Sequence, residues 1–148
     1  MQIIDHKKLQ LVVSIALINE NDQILISKRP KKKFLSGYWE FPGGKVEKNE
    51  IPENAIIREV KEELDIDINN KCIAPLSFSE FGYAEFQLLL LLYVCRRWEG
   101  EPRSMEQNEI KWVKANMLRQ FKMPPADDSL IYSPVSYTHL TLPTIYSV

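Results

Sequence analysis

Cysteine is scarce: Cys72 and Cys95 are the only two in 148 residues. Two thiols among apolar neighbours build no disulfide framework and read as buried free thiols. Net charge is nearly absent as well. Lys and Arg number 19 against 20 Asp and Glu, a formal charge of -1. That balance removes the electrostatic case for wholesale binding to nucleic acid or a membrane surface. Long apolar runs are missing too. The longest, Leu88 to Cys95, falls far short of the roughly 20 residues a membrane helix needs. The opening MQIIDHKKLQ lacks the apolar centre of a secretion signal, so a cytoplasmic location is expected. No internal repeat is visible, and the length suits one domain with a sizeable core.

Charge also vanishes at the end of the chain. PVSYTHLTLPTIYSV, Pro134 to Val148, has no Asp, Glu, Lys or Arg, after a chain rich in Lys and Glu. It resembles the translation of a sequencing-library adapter, a transposon end. Residues 134–148 are therefore expected to be a non-native tail, with the last helix cut off near Ser133 and a single domain over 1–133. A natural edge strand is the alternative, because Thr, Tyr, Ile and Val favour strands.

What remains alternates strand and turn signals. Leu9 to Ile18 is expected to be a strand buried on both faces. The turn-forming run Asn19-Glu20-Asn21-Asp22 leads to a return strand over Gln23 to Lys28. Arg29 to Gly37 is a basic loop, and Tyr38 to Phe41 a short apolar segment running through Pro42 into Gly43-Gly44. Pro52 to Leu64 is helical in pattern, with Pro52 in the first turn, where its missing N–H is harmless. Strands are expected over Lys71 to Glu80 and Tyr83 to Arg97, the second central in its sheet because its leucines are uninterrupted. A short strand over Glu109 to Val113, a helical turn over Ala115 to Gln120 and a helix start at Pro124 to Asp128 complete the pattern. Strands outnumber helices without regular alternation. The fold class is α/β in the broad sense, a mixed-sheet α+β sandwich.

The helix carries an excess of acid. On a wheel of about 100° per residue, Glu62 and Glu63 fall within roughly 60° on either side of Glu59. Ile56, Ile57, Val60 and Leu64 gather about 120° away. A stabilised solvated face would interleave Lys with Glu at i,i+4, and this stripe does not. Carboxylates that repel one another become favourable when a divalent cation sits among them. They are hard ligands suited to Mg²⁺ or Mn²⁺, ions that keep several waters and share coordination with substrate phosphates.

The spacing is Gly44, five residues, Glu50, seven residues, then Arg58-Glu59-Val60-Lys61-Glu62-Glu63-Leu64-Asp65-Ile66. It resembles the Nudix box of the Nudix hydrolases, with one departure: Asp65 stands where the family has glycine, a position that tolerates a left-handed backbone. Trp39 to Glu47, Ile24 to Arg29, Arg97 to Pro102 and Pro124 to Asp127 are similar to the MutT subfamily, whose members are 8-oxo-dGTP pyrophosphohydrolases. The likeness covers about Leu9 to Ile131. It implies the Nudix fold, a mixed β-sheet sandwiched between helices, with the box as loop–helix–loop.

The resemblance also implies roles. Metal ligands would be Glu59, Glu62 and Glu63, a backbone carbonyl at Gly43 or Gly44, and Glu106, which is either a further ligand or base or a solvated loop acid. Glu59 would be the base or the principal ligand. Arg58 would pair with Glu50 and brace the loop, or else contact phosphate directly. On the substrate side stand Arg29, Glu40, Phe41, Pro42, Gly43, Asp127 and Asp128. Asp127 occupies a purine-reading position that is Asn in some members; ionised, it only accepts hydrogen bonds, and it reaches O6 of guanine only if protonated. Its alternative is a helix cap. Phe41 would wall the base or be plain core. Lys31, Lys32 and Lys33 either steer anions or are simply solvated. The implied reaction is Mg²⁺-dependent hydrolysis of 8-oxo-dGTP to 8-oxo-dGMP and pyrophosphate, with Mn²⁺ as substitute, by a monomer whose partner is a nucleotide and not nucleic acid or membrane. Two alternatives are a Nudix enzyme for another triphosphate, such as a pyrimidine one, and a nucleotide- or metal-binding module without turnover.

Overall fold

A computed structural model describes residues 8–131; the expected non-native tail lies outside the described residues. Strands β1 (Lys8–Leu17), β2 (Gln23–Lys28), β3 (Trp39–Glu40) and β4 (Gly43–Lys45) precede helix α1 (Pro52–Leu64). A 3₁₀ turn at Asn70–Cys72 leads to β5 (Ile73–Gly82) and β6 (Phe86–Cys95), then β7 (Ile110–Lys114), a second 3₁₀ segment (Ala115–Gln120) and α2 (Pro125–Ile131).

The strands form two sheets and not one: β4-β1-β6-β5, and β3-β2-β7. The larger is mixed, since β1 runs parallel to β6 while its other pairs are antiparallel. A single bridge, Ile18 to Ile24, ties the two sheets at the turn between β1 and β2.

Side-chain alternation along a strand divides the core between two faces. Val13, Ile15 and Leu17 of β1 and Leu25 of β2 pack with Ala55, Ile56, Val60 and Leu64 of α1. Ala16, Ile18, Ile24 and Ile26 point the other way, towards Leu118, Ala126, Leu130 and Ile131. The strands are thus covered by helix on both sides. β6 is internal in its sheet, as the leucine run implied.

Three details differ from expectation. β1 is buried on both faces only from Val13 onward, and Leu9 is exposed. Its neighbour β4 reaches only Val12 to Ser14, so the first residues of β1 have a strand on one side only. The hairpin also shifts: Tyr83 lies in the turn, its N–H donating to the Phe86 carbonyl at 2.8 Å. Finally, Cys95 is buried but Cys72 only half so; both are free thiols. Trp98 and Trp112 stack on each other at 6.0 Å, as packing residues. Among the described residues no helix is long and apolar enough to cross a membrane.

Candidate active site

Two glycines set the approach of loop to helix. A Cβ on Gly43 would drive into the Val13 carbonyl of β1, and one on Gly44 into the Glu59 carboxylate. β4 therefore lies directly over the acidic face of α1. Gly44→Ala should displace Glu59 and lower kcat by about tenfold or more, measured by steady-state kinetics; an unchanged kcat would show that the contact is dispensable.

Arg58 is the hub of the loop–helix junction. Its Nε and Nη2 grip Glu50 at 2.8 and 2.9 Å in a two-pronged pair. The same guanidinium donates to Glu59 at 2.9 Å, to the Lys45 carbonyl at 3.0 Å and to Glu62 at 3.4 Å. Sequence expectation put Arg58 beside Glu50, and that pair forms; its grip on Glu59 and Glu62 comes in addition. Glu50 also accepts from the Glu47 N–H at 3.0 Å. Arg58 first, then this N–H, hold the Glu50 carboxyl down at about 2. The Glu47 carboxylate, largely exposed, stands 3.6 Å from Arg58 at the edge of this junction.

The acidic stripe does not act as one cluster. Glu62 is 59% exposed. Glu59 and Glu63 turn inward; the charge of Glu106 reaches both, and that of Glu40 reaches Glu63. Burial, followed by the charges of Glu59, Glu106 and Glu40, pushes the Glu63 carboxyl up to about 9. Burial also raises Glu59, against the pull of Arg58. These groups share a pocket of low dielectric and too little positive charge.

That imbalance tests the fit of a cation. Every available donor is a hard oxygen, and a divalent ion would supply the missing counter-charge. Among the described residues, no three acidic or imidazole groups are already arranged to hold one. Arg58 occupies an oxygen of Glu59, and Glu62 faces solvent. The donor chemistry fits; closure of the ligands around an ion would require Glu59 and Glu62 to turn from Arg58.

A second acidic group lies alongside. Glu40 on β3 pairs with Arg29 at 2.8 Å, and Arg29 Nε donates to the Phe34 carbonyl at 2.7 Å. Burial raises the Glu40 carboxyl, with Arg29 opposing. Asp127, in the first turn of α2, accepts the Phe41 N–H at 3.2 Å. It is only 7% exposed. Burial, then the charge of Glu40, pushes it up to about 8. Asp127 is thus tied across the fold to the Phe41 backbone. The Phe41 ring is in the core, 1% exposed, so its main-chain N–H is what it offers the site. Pro42 is buried, its carbonyl accepting from Ile15. Asp128 N–H donates to the carbonyl of Pro124, the residue just before α2. Lys31, Lys32 and Lys33 are exposed.

Sequence alone gave no signal for Tyr83. It stacks on Phe86 at 4.9 Å and meets Phe34 and Phe81 edge-on. The charges of Arg29 and Asp127 both reach its hydroxyl. No motif in the hairpin residues Tyr83-Ala84-Glu85-Phe86 marks this, because Phe34, Arg29 and Asp127 are remote in sequence.

Comparison with known proteins agrees with this geometry. The family model for the NUDIX domain matches residues 13–133. The 8-oxo-dGTP diphosphatase of Escherichia coli K12 is 36% identical, over 84% of this chain and 95% of that protein. The CTP pyrophosphohydrolase of the same organism is 29% identical, over 80% of this chain and 87% of that protein. A solved MutT structure, from work on Aliivibrio salmonicida and Vibrio cholerae, superimposes with a TM-score of 0.71 at 31% identity, covering 84% of this chain and 94% of the other.

Proposed function

This chain belongs to the NUDIX-domain family of hydrolases, and on that premise we propose that it hydrolyses 8-oxo-dGTP to 8-oxo-dGMP and pyrophosphate with Mg²⁺. Its role would be to clear the nucleotide pool of an oxidised, mutagenic precursor, as a cytoplasmic monomer without direct contact to nucleic acid. The observation that carries the reading is the pair of inward, charge-starved carboxyls Glu59 and Glu63, packed under the Gly43-Gly44 loop and braced by Arg58.

The chain's own groups divide the work. Gly43, Gly44, Glu59, Glu62, Glu63 and Glu106 would hold the cation. When bound, the cation neutralises phosphate oxygens and lowers the pKa of water. Glu59 takes the proton of the attacking water as oxygen bonds to the β-phosphorus and the bond to the α-phosphate oxygen breaks. Arg58 keeps the loop in register through Glu50. Arg29, held by Glu40, faces the anionic substrate.

Base selection falls to Asp127. With its carboxyl raised to about 8, it is largely protonated at neutral pH. A neutral carboxyl both donates and accepts. It can donate to O6 and accept from N7–H, a proton that 8-oxoguanine has and guanine lacks. Against guanine, the same acceptor would face the N7 lone pair, an unpaired and costly contact.

A specific observation keeps a second reading in play, the similarity to a CTP pyrophosphohydrolase. One panel separates them. We expect kcat/KM for 8-oxo-dGTP to exceed that for dGTP and CTP by at least about tenfold, with pyrophosphate as product. A preference for CTP would install the pyrimidine reading. Binding of nucleotide with no pyrophosphate released would make the protein a non-catalytic module.

A further inference from the structure

Glu106 is exposed, in a segment between Arg97 and β7 that has no regular structure, yet its charge reaches Glu40, Glu59 and Glu63. An exposed loop acid normally wanders. This one stands near the tip of a turn whose two feet are both anchored.

The first foot rests on the end of α1. The last carbonyls of a helix lack partners within it. Here the Arg103 N–H donates to the Leu64 carbonyl at 3.1 Å, and the Met105 N–H to the Glu63 carbonyl at 2.9 Å. A two-way backbone bridge between Asp67 and Glu99 extends the same seam. Asp65 closes it from the helix side. Its backbone is left-handed, φ 56°, and its carboxylate meets Arg103 at 2.8 Å and Lys61 at 3.3 Å. Glycine would fit this backbone without strain but would contribute no carboxylate.

The second foot rests on β2. Asn108 Nδ2 donates to the Lys28 carbonyl at 2.7 Å. The Asn108 N–H donates to Ser104 Oγ at 3.0 Å, and the Ser104 hydroxyl donates to Asn108 Oδ1 at 2.5 Å. Gln107 takes a left-handed turn, φ 60°. The chain between Ser104 and Asn108 is therefore a closed loop with Glu106 inside it.

We infer that the Ser104–Asn108 turn is a built mount for Glu106, and that Asn108 and the Asp65–Arg103 pair are positioning residues for the hydrolysis. The inference rests on Glu106 acting as a ligand of the cation, as in the function proposed above. Neither Asn108 nor Arg103 touches the acidic pocket; both act through the placement of Glu106.

The core test compares wild type, Asn108→Ala, Glu106→Gln and the double variant, with Arg103→Ala and Arg103→Lys beside them. For each, kcat and KM are measured with Mg²⁺, Mn²⁺ affinity by electron paramagnetic resonance on the nucleotide-free protein, and Tm by calorimetry. Asn108→Ala should lower kcat and weaken Mn²⁺ binding by about tenfold each, with nucleotide KM changed by less than about twofold. In the Glu106→Gln background, Asn108→Ala should cost nothing more. Arg103→Ala should act in the same direction more weakly, because an exposed ion pair contributes little, and Arg103→Lys should restore it. Multiplying losses in the double variant, or a lower kcat with unchanged Mn²⁺ affinity, would overturn the mount. If Glu106→Gln alone changes neither kcat nor Mn²⁺ affinity, the role of Glu106 falls, and the inference with it. Should Asn108→Ala fail to fold, Ser104→Ala carries the same test, since it opens the turn and leaves the anchor on Lys28.

Discussion

Glu59→Gln is expected to lower kcat by about 10²- to 10⁴-fold, the range a positioned proton acceptor contributes. The amide keeps the shape of the side chain and a carbonyl oxygen for Arg58, which donates to Glu59 Oε1 at 2.9 Å. What it loses is charge and basicity. The fold should not suffer. Glu59 is held against burial, and its charge is the second cause of the raised Glu63 carboxyl. Removing that charge relieves a repulsion, so Tm should stay the same or rise. Glu20→Gln, on the exposed turn after β1, is the control for loss of an acid as such. Kinetics and calorimetry on the two variants decide the matter. A near-normal kcat for Glu59→Gln would remove Glu59 from the chemistry; a collapsed Tm would make its role structural.

Asp127 carries the second large effect. Asp127→Ala should reduce kcat/KM for 8-oxo-dGTP by about 10²-fold, because hydrogen-bonding groups of the base are left unpaired. Hydrolysis of dGTP should change little, so the preference collapses. Asp127→Asn should retain much of the preference, since an amide also donates and accepts. The pH dependence separates the two chemistries. Wild-type preference should fall as pH rises through about 8, where Asp127 ionises. The Asn variant should show no such fall.

Stability should report the same proton. The folded Asp127 keeps its proton up to about 8, against an ordinary value of 3.8. Between those values the unfolded chain has released a proton that the folded chain still binds, so stability falls as pH rises through the window. At pH 7 the cost is up to about 4 kcal/mol. Asp127→Asn should therefore raise Tm at pH 7 and leave it unchanged near pH 4. Equal Tm shifts at both pH values would mean that Asp127 is ionised in the folded protein.

Much of this was legible from local spacing. Helix α1 appears at Pro52–Leu64 as its periodicity requires, and Asp65 takes the left-handed backbone expected of a glycine site. The Arg58–Glu50 brace follows from a resemblance and is met in the structure. Less legible was the sharing of the stripe. On a wheel Glu62 and Glu63 flank Glu59 almost equally, but only Glu63 faces the interior, because β4 and the Glu106 turn cover one flank of the helix and solvent the other. The Phe41 ring, a candidate wall for the base, is in the core instead.

The sequence by itself determined the carboxylate-bearing helix, the glycine loop before it and the type of chemistry they support. These depend on residues three to eight apart, whose relative placement follows from helix geometry and a short connection. Only the tertiary structure decided which carboxyls are charge-starved and which residues hold them. Asp127 meets Phe41 across 86 positions, Asn108 meets Lys28 across 80, and Arg103 meets Asp65 across 38. A carboxyl's proton affinity is set by the water it loses and the charges brought near it; for Asp127 the charge of Glu40 comes from a segment far along the chain, and for Glu63 those of Glu106 and Glu40 do, beside that of Glu59 on the same helix.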